Sequence, residues 1–207
     1  MKSGRAFSAR APRSARLAAP LLAAALAGCT SLLAGPPSAI FDLSAPSLAT
    51  ADAAATPVRP RNIQVLVPEP STVRALDTER IAGRPNPSEY AYLPGAVWSD
   101  RLPKLLQARL VETLQNSGRA RAVAVPGQGL LIDYQVVLDV RAFELTTQGA
   151  HVDFAVRIMD DRNGRVVRSR VFQYLVPVQG RGTAAVVAAL DRGMEQAFSD
   201  IAGWAFG

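Results

Sequence analysis

The side chains best suited to nucleophilic or metal chemistry occur once each in this chain, as Cys29 and His151. A three-ligand zinc site built on His151 would need carboxylates as its other ligands, and no metal-binding spacing occurs in the sequence. A Ser-His-Asp triad around His151 would need a serine presented on a Gly-x-Ser-x-Gly turn, which the sequence lacks. We therefore predict no metal site and no catalytic residue, and we place His151 on the polar face of a strand.

Two further groups of residues could do chemistry, but local structure explains each of them better. Asp160 and Asp161 are adjacent carboxylates, and adjacent residues on a strand point to opposite faces, so they are a poor acid–base pair. We assign them to the turn beside Asn163 and Gly164. The sequence of residues 180–182, Gly-Arg-Gly, could cradle a phosphate at a helix N-terminus, but it lacks the dinucleotide and P-loop patterns. We interpret it as a loop that enters a helix.

The formal net charge of +6 comes mainly from the beginning of the chain. Five of the 23 basic side chains, and no acidic one, lie before residue 17, and a short apolar run follows at residues 17–27. This order is typical of a signal peptide, which we place at residues 1–28, and the run is shorter than the roughly 20 residues of a spanning helix. The rest of the chain has 18 basic and 17 acidic side chains, so the sequence gives no support to a nucleic-acid partner.

The sequence of residues 26–29, Leu-Ala-Gly-Cys, resembles the bacterial lipobox. The resemblance implies cleavage before Cys29, diacylation of its thiol and acylation of the new amino terminus. An ordinary signal peptide with a chance cysteine is the alternative. The covalent lipid on Cys29 is the one non-protein group that we predict, and no other cofactor is expected. In such lipoproteins an Asp after the cysteine usually signals retention in the inner membrane, so Thr30 indicates export to the outer membrane.

Composition divides the remaining chain into a tether and a folded domain. We assign residues 29–38 to the acylated N-terminus and a flexible tether, because this part of the chain is rich in Ala, Pro, Ser and Thr. Residues 39–207 form the predicted domain, in which residues 45–60 have the same composition and are predicted to be a loop. The apolar content of 49% allows a packed core and excludes global disorder.

Two segments have the periodicity of amphipathic helices. The first spans residues 99–116, with Ser99 as the predicted N-cap, Asp100 in the first turn and Gly118 as the stop signal. Its leucines fall on one face. The second helix opens at Thr183, and an apolar stripe runs along it to Trp204.

Alternating apolar and polar residues predict strands at residues 62–67, 131–145 and 152–158. Asn163 and Gly164 favour a hairpin turn, and residues 165–178 form the predicted return strand, with a bulge near Phe172. These elements predict an α+β fold in which two amphipathic helices pack on one face of an antiparallel sheet. The other face would be exposed to water or meet a partner.

The order of these features over residues 39–204 resembles the ABC-type transport auxiliary lipoprotein family, which includes the PqiC-like proteins. A lipobox and linker precede an early Phe-Asp-Leu strand, Tyr90-Ala-Tyr92, and Trp98-Ser-Asp100 at the opening of a leucine-rich helix. Trp98 and Asp100 match the family pattern. We interpret Trp98 as a core residue or, if its indole is exposed, as an interface residue together with Asp100.

The resemblance implies a non-enzymatic subunit of an ABC transport system built around an MCE-domain protein. Such systems move phospholipid or other hydrophobic molecules across the Gram-negative envelope and support membrane integrity. The implied partners are the MCE-domain protein, a separate permease and ATPase, and the membrane, which the chain would contact through Cys29. The domain would dock on the MCE-domain protein or form a homo-oligomeric ring around the path along which the molecules are transported. Two alternatives stay open: a structural or assembly lipoprotein of the outer membrane, and a periplasmic enzyme with a pocket around His151.

Overall fold

The strand formed by Tyr134–Thr146 lies at the centre of the fold and pairs along both of its edges. The computed structural model describes residues 39–46 and 61–206, which belong to one compact unit. The predicted signal peptide, Cys29, the tether and most of the predicted loop at residues 45–60 lie outside the described residues.

The described residues form nine strands in one sheet and two helices. The strands are β1 (Ala39–Phe41), β2 (Arg61–Leu66), β3 (Ser71–Thr72), β4 (Arg80–Asn86), β5 (Glu89–Trp98), β6 (Ala120–Ala124), β7 (Tyr134–Thr146), β8 (Gly149–Asp160) and β9 (Val166–Val176). The helices are α1 (Leu102–Asn116), between β5 and β6, and α2 (Thr183–Ala205), after β9. Neither helix is long and apolar enough to cross a membrane.

The two edges of β7 have different partners. One edge pairs with β8 over the whole strand, from Tyr134 opposite Asp160 to Thr146 opposite Gly149. The other edge is shared by three short strands, because β2, β3 and β4 pair with β7 one after another along its length. β5 and β1 extend the sheet beyond β4, and β6 extends it beyond β2.

The predicted α+β class is confirmed, and the long pairings are antiparallel as expected. β8 pairs antiparallel with both β7 and β9, and β4 pairs antiparallel with β5. The short pairings of β7 with β2, β3 and β4 are parallel, as are those of β1 with β5 and β2 with β6. Alternation shows which face of a strand is buried and not the direction of its neighbours, so these parallel pairings could not be predicted from it.

The two helices bury their apolar stripes against the sheet and each other, as predicted. The five leucines of the α1 stripe are all at most 5% exposed, at positions Leu102, Leu105, Leu106, Leu110 and Leu114. α2 packs on β7, β8 and β9, and the ring of Phe198 lies 5.6 Å from that of Phe154 on β8. Phe143 on β7 continues this aromatic layer at 6.2 Å from Phe154, ring centre to ring centre.

The predicted N-cap of α1, Ser99, is wrong by two residues. The helix begins at Leu102, and Arg101 occupies the N-cap position without a side-chain cap. Ser99 lies two residues before the N-cap position and does not cap the helix. Its backbone N–H donates to the carbonyl of Phe41 at 2.7 Å and so extends the contact with β1. Asp100 lies before the helix rather than in its first turn, and its carboxylate accepts the N–H of Arg101 at 2.7 Å.

The hairpin turn at Asn163-Gly164 is confirmed, but the bulge predicted near Phe172 is wrong. Gly164 has a φ of 69°, which glycine adopts without strain. Phe172 lies in register opposite Phe154 and is buried at 2% exposure. The irregularity in the pairing of β8 with β9 lies closer to the turn. Ile158 and Met159 are consecutive in β8, but their partners in β9, Arg168 and Val166, are two residues apart.

Close packing of α2 on the sheet depends on Gly193. A Cβ at this position would lie 2.9 Å from Cγ2 of Val152 and 3.3 Å from Cγ2 of Val176. A Cβ at Gly203, in the same helix, would have no heavy atom of a neighbouring residue within 4 Å.

Gly193→Ala is expected to lower the free energy of unfolding by about 1–3 kcal/mol, since the two stiff valines must shift. Gly203→Ala should instead raise it by up to about 1 kcal/mol, because alanine is the better helix former and meets nothing. Urea unfolding of the two variants measures both changes, and equal effects of the two substitutions would contradict the packing described.

Candidate functional site

The residues that match the family pattern between positions 90 and 110 form a junction of strands rather than an exposed surface. Trp98, at the end of β5, is 2% exposed, and its ring lies 5.9 Å from that of Phe143 on β7. Its backbone N–H donates to the carbonyl of Glu79 at 2.7 Å. The indole therefore fills the core where β1, β5, β7 and the start of α1 meet, and it presents no surface to a partner.

Asp100 is the member of this segment that solvent reaches. Its side chain is half exposed, and its carboxylate lies 3.9 Å from the ammonium of Lys104, a weak surface pair. The next residue, Arg101, holds the neighbouring loop by ion pairs with Asp77 and, at 3.1 Å, with Glu69. Of the two predicted interface residues, only Asp100 has an accessible side chain.

A groove of about 710 Å³ lies on the face of β7, β8 and β9 opposite α2. The turn between β4 and β5 forms one wall of it. Cross-strand pairing places Glu144, His151 and Leu175 in one row of this face and Ala142, Asp153 and Gln173 in the next row. We call it the hairpin groove; its lining includes these six residues together with Arg84, Pro85, Asn86, Pro87, Arg141 and Thr146.

A bulge in β7 makes the hairpin groove. The register of β7 shifts between Val140 and Ala142, so strict alternation ends there. Before the shift Val140 faces the core, and after it Phe143 does. The shift turns Glu144 to the groove side, although uninterrupted alternation would have directed it to the core. The sequence analysis missed Glu144; the signal for it was the pair of adjacent apolar residues, Ala142 and Phe143, inside an alternating strand.

Glu144 is buried beneath Arg84, at 1% exposure. The guanidinium of Arg84 donates to Oε1 of Glu144 at 3.3 Å, to the hydroxyl of Tyr90 at 3.1 Å and to the carbonyl of Pro87 at 2.6 Å. Burial and the negative charge of Glu144 raise the pKa of Tyr90 above its usual value, so the phenol stays neutral. Oε2 of Glu144 is buried and has no hydrogen-bond partner among the described residues.

Asp153 and His151 lie beside Glu144 on β8. Oδ2 of Asp153 accepts a hydrogen bond from the side-chain amide of Gln173 at 2.9 Å, whereas Oδ1 is buried and has no partner in the part of the chain that the structure describes. Within residues 39–46 and 61–206 the imidazole of His151 has no hydrogen-bond partner that would orient it as a general base. Among the described residues, the polar side chains of the groove therefore include no nucleophile that is hydrogen-bonded to a base.

The described part of the chain contains no group of three or more His, Cys, Asp or Glu side chains placed to hold a metal ion. His151 lies on the polar face of its strand, as the sequence predicted, and is half-buried in the wall of the hairpin groove. Asp160 is the last residue of β8, and its carboxylate accepts the N–H of Arg162 in the predicted turn at 2.9 Å. The Gly-Arg-Gly sequence precedes α2, and Gly182 occupies its N-cap position.

Comparison with known families identifies the chain. The family described as ABC-type transport auxiliary lipoprotein component matches residues 41–202. The chain therefore belongs to this family. The uncharacterized protein bll6063 of Bradyrhizobium diazoefficiens is 33% identical to it over 144 residues, which are 67% of this chain and 38% of that protein. The chain thus spans less than two fifths of the length of this relative.

Solved structures share the fold. The crystal structure of protein XCC0632 from Xanthomonas campestris, of the family designated DUF330, superimposes with a TM-score of 0.70 at 29% identity. The match covers 81% of this chain and 94% of that one. A crystal structure of another uncharacterized protein gives a TM-score of 0.62 at 18% identity and covers 80% of this chain and 97% of that one. At that identity the second likeness supports the fold alone.

Substitutions at Trp98 and Asp100 separate a core role from a surface role. We expect Trp98→Ala to lower the free energy of unfolding by about 3–5 kcal/mol, because it leaves a cavity beside Phe143. We expect Asp100→Asn to change it by no more than about 0.5 kcal/mol, because the carboxylate is half exposed. Urea unfolding measures both values, and a Trp98→Ala variant as stable as Asp100→Asn would disprove the core role of the indole.

Proposed function

We propose that this member of the ABC-type transport auxiliary lipoprotein family is a lipid-anchored, non-enzymatic subunit of an envelope transport system. The system would move phospholipid or other hydrophobic molecules across the Gram-negative envelope and so support membrane integrity. The observation that carries the proposal is the family match over residues 41–202, which follow a lipobox ending at Cys29. The partners proposed are an MCE-domain protein and the permease and ATPase of the same system.

The anchor would be the acylated Cys29. Each buried methylene contributes about 0.8 kcal/mol, and two or more chains hold a protein stably on a membrane where one does not. The domain would then lie on the periplasmic face of the envelope, and Thr30 favours the outer membrane. No cofactor besides this covalent lipid is part of the proposal.

A binding role rather than catalysis agrees with the chemistry of the hairpin groove. Among the described residues, neither its carboxylates nor His151 is hydrogen-bonded to a nucleophile, as a nucleophile–base pair would require. Asp100 is the residue we propose for a protein interface, since its side chain is accessible beside the rigid junction at Trp98. The domain would dock on the MCE-domain protein through such a surface or assemble with further copies around the conduit.

Radiolabelled palmitate tests the anchor directly. We expect Cys29→Ala to abolish incorporation of the label and to release the chain from the membrane fraction, whereas Ser31→Ala should retain both. Thr30→Asp should keep the label but move the chain to the inner-membrane fraction. Labelling of the Cys29→Ala variant would show that the lipid is attached elsewhere or that the lipobox is not used.

Genetic interaction tests the transport role. Deleting this gene should increase the permeability of the envelope to a hydrophobic dye, and deleting the ATPase gene of the proposed system as well should add nothing, because both act in one process. The wild-type gene should restore the barrier, and the Cys29→Ala variant should not. An additive double deletion, or unchanged permeability after the single deletion, would contradict the proposal.

A further inference from the structure

β9 is an edge strand with one open side. It pairs with β8 along one edge, from Val166 opposite Met159 to Val176 opposite Ala150, and no other described strand pairs with it. Alternate residues of such a strand direct both the backbone N–H and the C=O away from the sheet, where an added strand can bond to them. The 11 residues of β9 offer these groups over roughly 35 Å.

β9 also concentrates the exposed apolar side chains of the domain. Among the described residues eight large apolar side chains are exposed, and four of them lie on this strand, at Val166, Val167, Val171 and Leu175. Leu175 lies opposite His151, so it is on the face opposite α2, and Val171, four residues earlier, is on the same face. An apolar residue of an added strand would therefore have apolar neighbours on that face.

The face of β9 towards α2 carries two exposed arginines, Arg168 and Arg170. Their cross-strand partners on β8 are buried apolar residues. The guanidinium of Arg168 donates to the carbonyl of Trp204 at 2.6 Å, which holds it beside the edge. Neither arginine forms an ion pair with an acidic side chain of the described residues, and the carboxylate of Asp200 on α2 accepts the hydroxyl of Tyr174 instead.

These arginines distinguish a second copy of the chain from a different partner. Antiparallel pairing of two β9 strands over their full length would set Arg170 opposite Phe172, so the arginines of both copies would crowd together on one face. Like charges in cross-strand contact are destabilising, and charged residues on an edge strand are a known protection against pairing with an identical strand. An acidic residue opposite either arginine would instead be stabilised.

We propose that the free edge of β9 binds an extended segment of a partner protein in which acidic and apolar residues alternate. The segment would join the sheet as a further strand, through backbone hydrogen bonds along β9. Its acidic residues would lie beside Arg168 and Arg170, and its apolar residues beside Val171 and Leu175. The proposal depends neither on the transport role nor on the identity of the transported molecule.

A peptide titration followed by NMR tests the edge. The full acylated chain, labelled with ¹⁵N and held in detergent micelles, would be titrated with acetyl-Thr-Glu-Val-Glu-Val-Glu-Thr-amide. We expect saturable binding with a Kd of about 1 mM or lower, and shifts centred on residues 166–176. Because an added strand bonds to the outward N–H groups, hydrogen exchange should slow at alternate amides of β9. The same peptide with lysine in place of each glutamate should bind at least about tenfold more weakly.

Charge reversal on the protein supplies the matched controls. Arg170→Glu should weaken the glutamate peptide by about fivefold or more and strengthen the lysine peptide, because the cross-strand pair changes sign. Arg74→Glu, the same change at an exposed arginine in the turn after β3, should leave both affinities unchanged, because distant surface charges are screened. Unaltered amide signals outside β9 would show that the Arg170→Glu variant remains folded.

Two further samples test the other occupants of the edge. Pro46, the last described residue before residue 47, lies beside Tyr174 of β9. A chain in which residues 47–60 are replaced by Gly and Ser residues of equal number should bind the glutamate peptide as the wild type does. The wild-type chain alone, diluted about tenfold, should keep the same hydrogen-exchange rates at the amides of β9, since no second copy occupies the edge.

Four results of the titrations would overturn the proposal. They are no saturable binding of the glutamate peptide, equal binding of the glutamate and lysine peptides, unchanged hydrogen exchange of β9 at saturation, and unchanged affinity of the Arg170→Glu variant. Binding that occurs only after replacement of residues 47–60 would assign the edge to that segment of the chain. Hydrogen exchange at β9 that speeds up on dilution would assign it to a second copy.

Discussion

The pairing of β7 with four other strands is the constraint on which the rest of this structure depends. One edge of β7 is occupied by β8 along its whole length, and the other edge is divided among β2, β3 and β4. These three short strands follow one another between residues 61 and 86, far from β7 in sequence, and a 2–7-residue strand has little stability alone. Their common partner fixes their order, and through β4 it also fixes β5, Trp98 and the position at which α1 starts.

The bulge in β7 gives the two faces of the sheet different roles. Because the register shifts between Val140 and Ala142, Phe143 joins the aromatic layer that holds α2 on the sheet. The same shift places Glu144 on the opposite face, beneath Arg84 of the β4–β5 hairpin. The aromatic packing on one face and the buried contact of Glu144 with Arg84 on the other therefore have a common origin in one irregular step, and a change at this step would disturb both.

The sequence was most informative where local rules decide the structure. The leucine stripe of α1, the stripe of α2 and the turn at Gly164 follow from spacing and from glycine's access to positive φ. Prediction failed where distant parts of the chain meet. Ser99 has the side chain of an N-cap, but it lies two residues before the N-cap position, in a segment whose backbone is bonded to Phe41 far away in sequence. Glu144 was missed because its environment depends on the bulge and on Arg84, neither of which alternation can show.

The central claim is that this anchored domain works as a subunit of an ABC transport system. The most direct measurement is a pull-down of the tagged chain from detergent-solubilised envelopes, read by mass spectrometry. The account predicts recovery of an MCE-domain protein together with its permease and ATPase, and loss of these partners with the Cys29→Ala chain. Recovery of a β-barrel or a peptidoglycan-associated protein in their place would contradict it, and would assign the same fold to a structural or assembly role in the outer membrane.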